Sequence, residues 1–148
     1  MQILLLRPED LEALVQLYAH LHSVDDPSPC HEQLAEIWSE VLENPRCRYL
    51  GGFVSGKLVS SCTIMVIPNL TRGARPYGLI ENVVTHSEHR GQGYGKAVLA
   101  QALEFGWSQR CYKVMLMTGR KDEATLHFYE SAGFDSRSKR AFVAIFPT

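Results

Sequence analysis

The run Arg90-Gly91-Gln92-Gly93-Tyr94-Gly95 sets the tightest limit on what this chain folds into. Its three alternate glycines follow a strand-like segment, Tyr77 to Thr85, and open a helix-like one, Gly93 to Gln109. Glycine adopts backbone angles closed to other residues and lets N–H groups come close to a ligand. The start of a helix adds unpaired donors and the positive end of a dipole. A strand, a glycine turn and a helix in this order form an anion cradle, most often for phosphate. Arg90 and Lys96 add local positive charge.

Two other phosphate motifs have different registers. A P-loop needs G-x-x-x-x-G-K-[ST]. Here Arg90 stands five before Gly95, and Ala97 follows Lys96, so no hydroxyl is placed for magnesium. A dinucleotide fingerprint needs G-x-G-x-x-G. Here Lys96 occupies the position of its third glycine, three residues after Gly93. A ligand-free turn does not account for three alternate glycines between two cations.

The flanking sequence supplies the rest of an α/β pattern. Gln2 to Leu6 reads as a strand ended by Arg7-Pro8, and Pro8, Glu9 and Asp10 suit a helix start. Leu11, Leu14, Val15, Tyr18 and Leu21 recur at helical spacing. A second helix is predicted over His31 to Leu42, with Leu34, Ile37, Trp38 and Val41 on one face. Arg48 to Val54 and Lys57 to Val66 flank Ser55-Gly56 as a hairpin. Pro68 to Pro76 is turn-rich. Lys113 to Thr118 reads as a buried strand, Ala124 to Ser131 as a helix stopped by Gly133, and Ala141 to Phe146 as a last strand. Mixed order of this kind predicts an α/β (α+β) fold with a mixed sheet. With 148 residues, residues 1–148 are read as one domain.

A net charge of −1 argues against a general nucleic-acid binder. Cys30, Cys47, Cys62 and Cys111 have no metal-ligand spacing, and no metal site is expected. The apolar N-terminus is too short for a signal or a membrane span, so a cytoplasmic location is expected. His20 and His22 are read as facing opposite ways on a helix, His86 and His89 as solvated, and Trp107 as packing.

Glu81-Asn82-Val83-Val84-Thr85 followed by Glu88-His89-Arg90-Gly91-Gln92-Gly93-Tyr94-Gly95-Lys96 resembles the coenzyme A signature of the GNAT acetyltransferase superfamily. Arg90, Gly93 and Gly95 match its [RQ]-x-x-G-x-[GA] pattern. Phe128-Tyr129-Glu130-Ser131-Ala132-Gly133-Phe134 resembles the family's later F-Y-x-x-x-G-F block. The resemblance is specific from Leu79 to Phe134. It implies a mixed, mostly antiparallel sheet with a splayed strand pair and about four flanking helices. It also implies acetyl-CoA as co-substrate, and a dimer is common in the family. Val83, Val84 and Thr85 would bond the pantetheine arm, with Thr118 on the opposite wall and Phe128 beside it. Arg90, Gly91, Gln92, Gly93, Tyr94, Gly95 and Lys96 would hold the pyrophosphate. Asp122 and Thr125 stand where many members have asparagine and alanine, which puts the contact at Asp122 in question.

Acetyl transfer to an amine needs a neutral amine, a donor for the thioester oxygen and a proton for the departing sulfur. The resemblance gives the last role to Tyr129 and the oxygen to backbone N–H near Val83. Glu81 is the base candidate, because strand alternation would put it on one face with Val83 and Thr85. Asp25 and Asp26 could meet a cationic amine, and Arg72 and Arg75 an anionic substrate. The turn region is most similar to the glucosamine-phosphate and aminoalkylphosphonate branches, on residues that serve the cofactor. A small-molecule amine is the favoured acceptor. A protein lysine or N-terminus, or a non-catalytic acyl-CoA-binding module, is the alternative.

Overall fold

The computed structural model describes residues 1–22 and 26–146. Strand β1 (Gln2–Leu5) leads through a 3-10 turn (Pro8–Asp10) into α1 (Leu11–Tyr18). Next come α2 (His31–Glu43), β2 (Cys47–Val54), β3 (Lys57–Ile67) and the single distorted turn α3 (Thr71–Ala74). Then follow β4 (Tyr77–Thr85), α4 (Tyr94–Ser108), β5 (Val114–Leu116) and α5 (Glu123–Ser131). The sheet order is β1-β2-β3-β4-β5. Every pairing is antiparallel except β4 with β5, which is parallel and so requires α4 as a crossover.

Local chemistry fixes the element ends. The Arg7 N–H donates to the Asp10 carboxylate at 2.8 Å where the first helical segment starts. Ser55 and Gly56 both have positive φ, as a two-residue primed hairpin turn requires between Val54 and Lys57. Leu14, Leu17 and Trp38 are buried, and the Trp38 ring packs edge-on against Tyr49 at 4.9 Å. Trp38 Nε1 donates to the Pro8 carbonyl at 3.2 Å, which ties α2 to the start of the α1 segment. Ile37, expected on the same face, points outward and is more than half exposed. Trp107 is also about half exposed rather than packed.

The sheet carries a core on each face. On one side Leu50, Cys62, Ile64 and Ile80 meet Val98, Leu99 and Ala102 of α4. On the other, Leu6, Leu14 and Trp38 pack with Tyr18, Tyr49 and Phe53. Fully burying one such aliphatic side chain stabilises by about 1.5–3 kcal/mol, so these layers hold the frame on which β4 is displayed. The expected strand at Ala141 to Phe146 does not form. Those residues have no ladder partner among the described residues and their large side chains are exposed.

Candidate active site

The site begins where β4 loses its neighbour. Gly78, Leu79 and Ile80 pair with Val114, Met115 and Leu116, and the pairing stops there. Strand β4 continues for five more residues, so among the described residues the backbone from Glu81 to Thr85 has no strand on that side. Strand β5 ends at Leu116, two residues short of the predicted Thr118. Thr118 lies exposed past its end, and its hydroxyl accepts the Arg120 N–H at 3.2 Å. Backbone groups that a sheet would satisfy are therefore offered to a ligand.

A bulge changes what the second half of β4 presents. Asn82 has φ 53°, and the register jumps from Thr63 opposite Glu81 to Ser61 opposite Val84. Asparagine is among the few residues that tolerate this left-handed region. A bulge advances the alternation by one residue. Ile80 and Val83, three residues apart, thus both pack on the α4 face, as does Thr85, whose Oγ1 lies against Gly95. Glu81 points with Thr63 to the opposite face, towards α1. The simple alternation that grouped Glu81 with Val83 and Thr85 is corrected by this one residue.

Three buried hydroxyls, Tyr18, Ser61 and Thr63, lie on that α1 face with no hydrogen-bond partner among the described residues. Burial, the largest cause, raises the Tyr18 hydroxyl far above its ordinary ionisation range.

Past Thr85 the glycine turn forms as predicted. Gly91 and Gly93 have φ of 74° and 81°, which side-chain-bearing residues rarely adopt. Gly93 caps α4, and no side chain covers that helix start. Its first N–H groups are left pointing into the turn, which suits an anion. Gly95 serves packing instead. A Cβ there would come within 3.0 Å of Phe128 and 3.1 Å of the Thr85 hydroxyl. Gln92 Nε2 reaches the Glu88 carbonyl at 3.4 Å, and the Tyr94 ring sits 6.1 Å from His89.

Arg90 does something the motif alone does not reveal. Its Nη2 donates to the His20 carbonyl at 3.0 Å and its Nε to the Thr85 carbonyl at 3.2 Å. The guanidinium clips the end of α1 to the end of β4. The His20 and His86 rings meet there at 4.0 Å, tilted by 46°, and His20 Nδ1 accepts the Ser87 N–H at 3.5 Å. Desolvation, then the nearby His86 and Arg90, push the His20 ring below its usual range.

Helix α5 brings Tyr129 to the α4 face. Its ring packs against Phe128 at 4.9 Å and Phe134 at 6.4 Å. Burial pushes its hydroxyl above the ordinary tyrosine range, Arg120 opposes that rise, and the carboxylate of Glu81 adds to it. Tyr129, Glu81 and Arg120 thus share one electrostatic neighbourhood, although they come from three separate segments. Asp122 caps α5: the Thr125 N–H donates to Oδ1 at 2.9 Å and the Thr125 hydroxyl to Oδ2 at 3.0 Å. The departures at Asp122 and Thr125 are one paired change, a carboxylate with the hydroxyl that it binds.

An open cleft of about 410 Å³ lies between the end of α1, the glycine turn and the loop after β5. His20, His22, Arg90 and Arg120 line it. Both histidines lie beyond α1, which ends at Tyr18, so the expectation that they face opposite ways on a helix does not hold. Arg120 carries no local sequence signal, since only the fold brings it beside Arg90. Arg72 and Arg75 are elsewhere, over the Tyr112 ring at 5.9 and 6.0 Å, near the start of β4. Strand β4 separates them from the turn by roughly 26 Å at about 3.3 Å per residue. Asp25 lies outside the described residues. Among the described residues no group of three or more His, Cys, Asp or Glu could hold a metal ion, and no helix is long and apolar enough to cross a membrane.

Residues 11–134 match the model of the acetyltransferase (GNAT) family. The chain belongs to that family. Among GNAT proteins it is 32% identical to glucosamine 6-phosphate N-acetyltransferase of Trypanosoma brucei brucei, over 95% of this chain and 92% of the relative. A solved structure from Agrobacterium tumefaciens str. C58, described as an acetyltransferase, superposes with a TM-score of 0.90 at 38% identity. That alignment covers 98% of this chain and 100% of that one. Glucosamine-6-phosphate N-acetyltransferase of Arabidopsis thaliana shares the fold at TM-score 0.78 and 24% identity, over 98% of each chain. The GNAT protein described here is accordingly an N-acetyltransferase, with the mixed sheet and split strand pair that its sequence predicts.

Proposed function

We propose that the chain transfers the acetyl group of acetyl-CoA to the primary amine of a small phosphorylated molecule, such as an amino-sugar phosphate, by direct attack in a ternary complex. One observation carries this reading. The gap between β4 and β5, the uncapped glycine turn and the cationic cleft meet at one end of the sheet. Val83, Val84, Thr85 and Thr118 flank the gap and are placed to bond an amide-containing arm, with Phe128 packed against Gly95 beside them. The backbone from Arg90 to Lys96 suits a pyrophosphate. The Arg90 side chain is already engaged by two carbonyls, so its guanidinium acts chiefly by shaping the turn. His22 and Arg120 make the adjoining cleft suited to a second anionic group, and the trypanosomal relative's name supplies a matching acceptor.

Acetyl-CoA supplies an activated thioester. Glu81, on the α1 face, takes the proton of the incoming ammonium, whose pKa lies near 10 in the free amine. Backbone N–H at Val83 donates to the carbonyl oxygen as it gains charge. Tyr129, on the α4 face, gives its proton to the sulfur as the carbon–sulfur bond breaks, and the second proton that the acylated nitrogen sheds restores the tyrosine hydroxyl. Base and acid stand on opposite faces of β4, so each proton transfer has its own group.

Release of free thiol from acetyl-CoA across a panel of amines tests the reading. Glucosamine 6-phosphate should have a higher kcat/KM than glucosamine, and Arg120→Ala should remove most of that advantage. Equal rates on both sugars, or a phosphate advantage untouched by Arg120→Ala, would reject the phosphorylated acceptor.

A further inference from the structure

Strand β3 lies in the middle of the sheet, yet its own middle is made of small polar residues. Ser60, Ser61, Cys62 and Thr63 are none of them more than 8% exposed. A buried hydroxyl is unfavourable unless it is hydrogen-bonded. The two faces of β3 meet that demand differently. On the α4 face the Ser60 hydroxyl lies 3.0 Å from the Val84 carbonyl and 2.9 Å from Thr85 Oγ1, and Cys62 Sγ donates to the Val98 carbonyl at 3.7 Å. On the α1 face the Ser61 and Thr63 hydroxyls have no partner among the described residues, and neither has the Tyr18 hydroxyl at the end of α1.

These three hydroxyls form a group. Ser61 and Thr63 are two residues apart on one strand and so share a face. Burial is the main influence on the Tyr18 hydroxyl and pushes it up. The side chains of Thr63 and Asn82 lie near enough to act in the opposite sense, yet neither completes a hydrogen bond with it. One buried water typically makes about three hydrogen bonds to polar groups that otherwise lack a partner. The group also has a telling position. Thr63 pairs with Glu81 and Ser61 with Val84, the two residues that flank the Asn82–Val83 bulge. A link from α1 to Thr63 and Ser61 therefore braces both shoulders of the bulge from behind.

We infer that Tyr18, Ser61 and Thr63 bind one resident water, and that Tyr18 is thereby a positioning residue for acetyl transfer. The second half rests on the reading of the Val83 N–H as donor to the thioester oxygen. Tyr18 touches neither substrate. It acts through the water on β3, and through β3 on the bulge that aims the Val83 N–H. Without the brace the bulge wavers in register and the N–H loses its fixed aim. That donor counts most as the oxygen gains charge, so its loss lowers kcat and leaves the binding of acetyl-CoA in place.

A high-resolution crystal structure of the full chain should show a water bonded to all three hydroxyls, and density without such a water overturns the inference. Tyr18→Phe and Thr63→Val each delete one hydroxyl at nearly constant volume. Each should lower kcat about tenfold, with the KM for acetyl-CoA altered less than twofold. Because both act through one water, the double variant should be no more than about twofold worse than either single variant. Falls that multiply would show separate actions and reject the shared water. A dry cluster has the opposite signature. Removing an unpartnered buried hydroxyl is neutral or stabilising. An unchanged or raised Tm with unchanged kcat in both variants would therefore defeat the positioning role. Failure of the underlying reading looks different, since the wild type would then release no thiol with any amine. Hydrogen exchange decides in that event: the most protected amide from Glu81 to Val84 should exchange at least tenfold faster in Tyr18→Phe, and equal exchange would leave the bulge without this brace.

Discussion

Along β4, Tyr77–Ile80 is largely apolar and is paired on both sides, whereas Glu81–Thr85 sets Glu81, Asn82 and Thr85 around two valines and is paired only with β3. Ile80 sits opposite Ile64 and Leu116 and is almost completely buried. Two residues later Asn82 takes a left-handed backbone, the register with β3 slips, and β5 is gone. The first half gives its hydrogen bonds to the sheet and its side chains to the core. The second half withholds its outer backbone groups from the sheet and divides its side chains between two faces. Rigidity in one half is what lets the other stay unpaired without wandering.

The comparison breaks most visibly if chemistry and stability fail to separate. Tyr129→Phe removes the proton donor but leaves the packing, so kcat should fall by about 10²–10⁴ while Tm stays nearly unchanged. Thiol release under saturating substrates, alongside calorimetry, checks both parts. Unchanged turnover would leave the sulfur without its assigned acid. Ile80→Ala makes the reverse case. It should cost about 2–5 kcal/mol in denaturant unfolding, with the KM for acetyl-CoA altered less than threefold in the folded fraction. If KM rose in step with lost stability, the two halves would not be independent.

The halves also differ in how readily their parts are read from sequence. Strand β4, the glycine turn and α4 were legible because their signals are local: period-two apolar residues, then φ-permissive glycines, then period-3.6 apolar residues. Phe128 and Tyr129 stood out by the same local spacing. The bulge did not, since Asn82 within a strand-like run carries no distinct mark until its partner strand is known. It moved Val83 and Thr85 off the face that Glu81 keeps. His20 and Arg120 were illegible for a related reason. They lie 100 residues apart, and only the parallel β4–β5 crossover brings their segments to one cleft. Ala141 to Phe146 has strand-like composition, but its expected partner is absent from the chain's own sheet.

The bulge offers a sharper and smaller test. Asn82→Val forces a β-branched residue into the left-handed region, at a cost of roughly 1–3 kcal/mol. Asn82→Gly suits the same angles and should be close to neutral in stability. If the bulge matters for catalysis, Asn82→Val should also lower kcat, because relaxing it would turn Val83 and its N–H while Ile80 and Glu81 stay in register with Ile64 and Thr63. Asn82→Gly should keep kcat within a few fold. Equal kcat in both variants would detach the bulge, and the Val83 N–H that it aims, from the reaction.

The smallest effect lies at α5, which carries Tyr129 to the gap. The Thr125 N–H and hydroxyl, in that order, hold the Asp122 carboxyl below the ordinary carboxylate range. A carboxylate depressed on folding adds stability above its unfolded pKa, near 4, and loses it as pH falls through the lower folded value. Wild-type Tm should therefore decline below about pH 4 more steeply than that of Asp122→Ala. Asp122→Asn keeps a good cap without the charge, so it should retain most of the neutral-pH Tm yet lose this acid-dependent step. If Asp122→Asn instead lowered acetyl-CoA affinity tenfold at neutral pH, the carboxylate would have to act on the cofactor beyond the cap. Comparing Tm against pH for the three proteins, with cofactor titrations at pH 7, separates a residue that orients Tyr129 through its helix from one that touches the ligand.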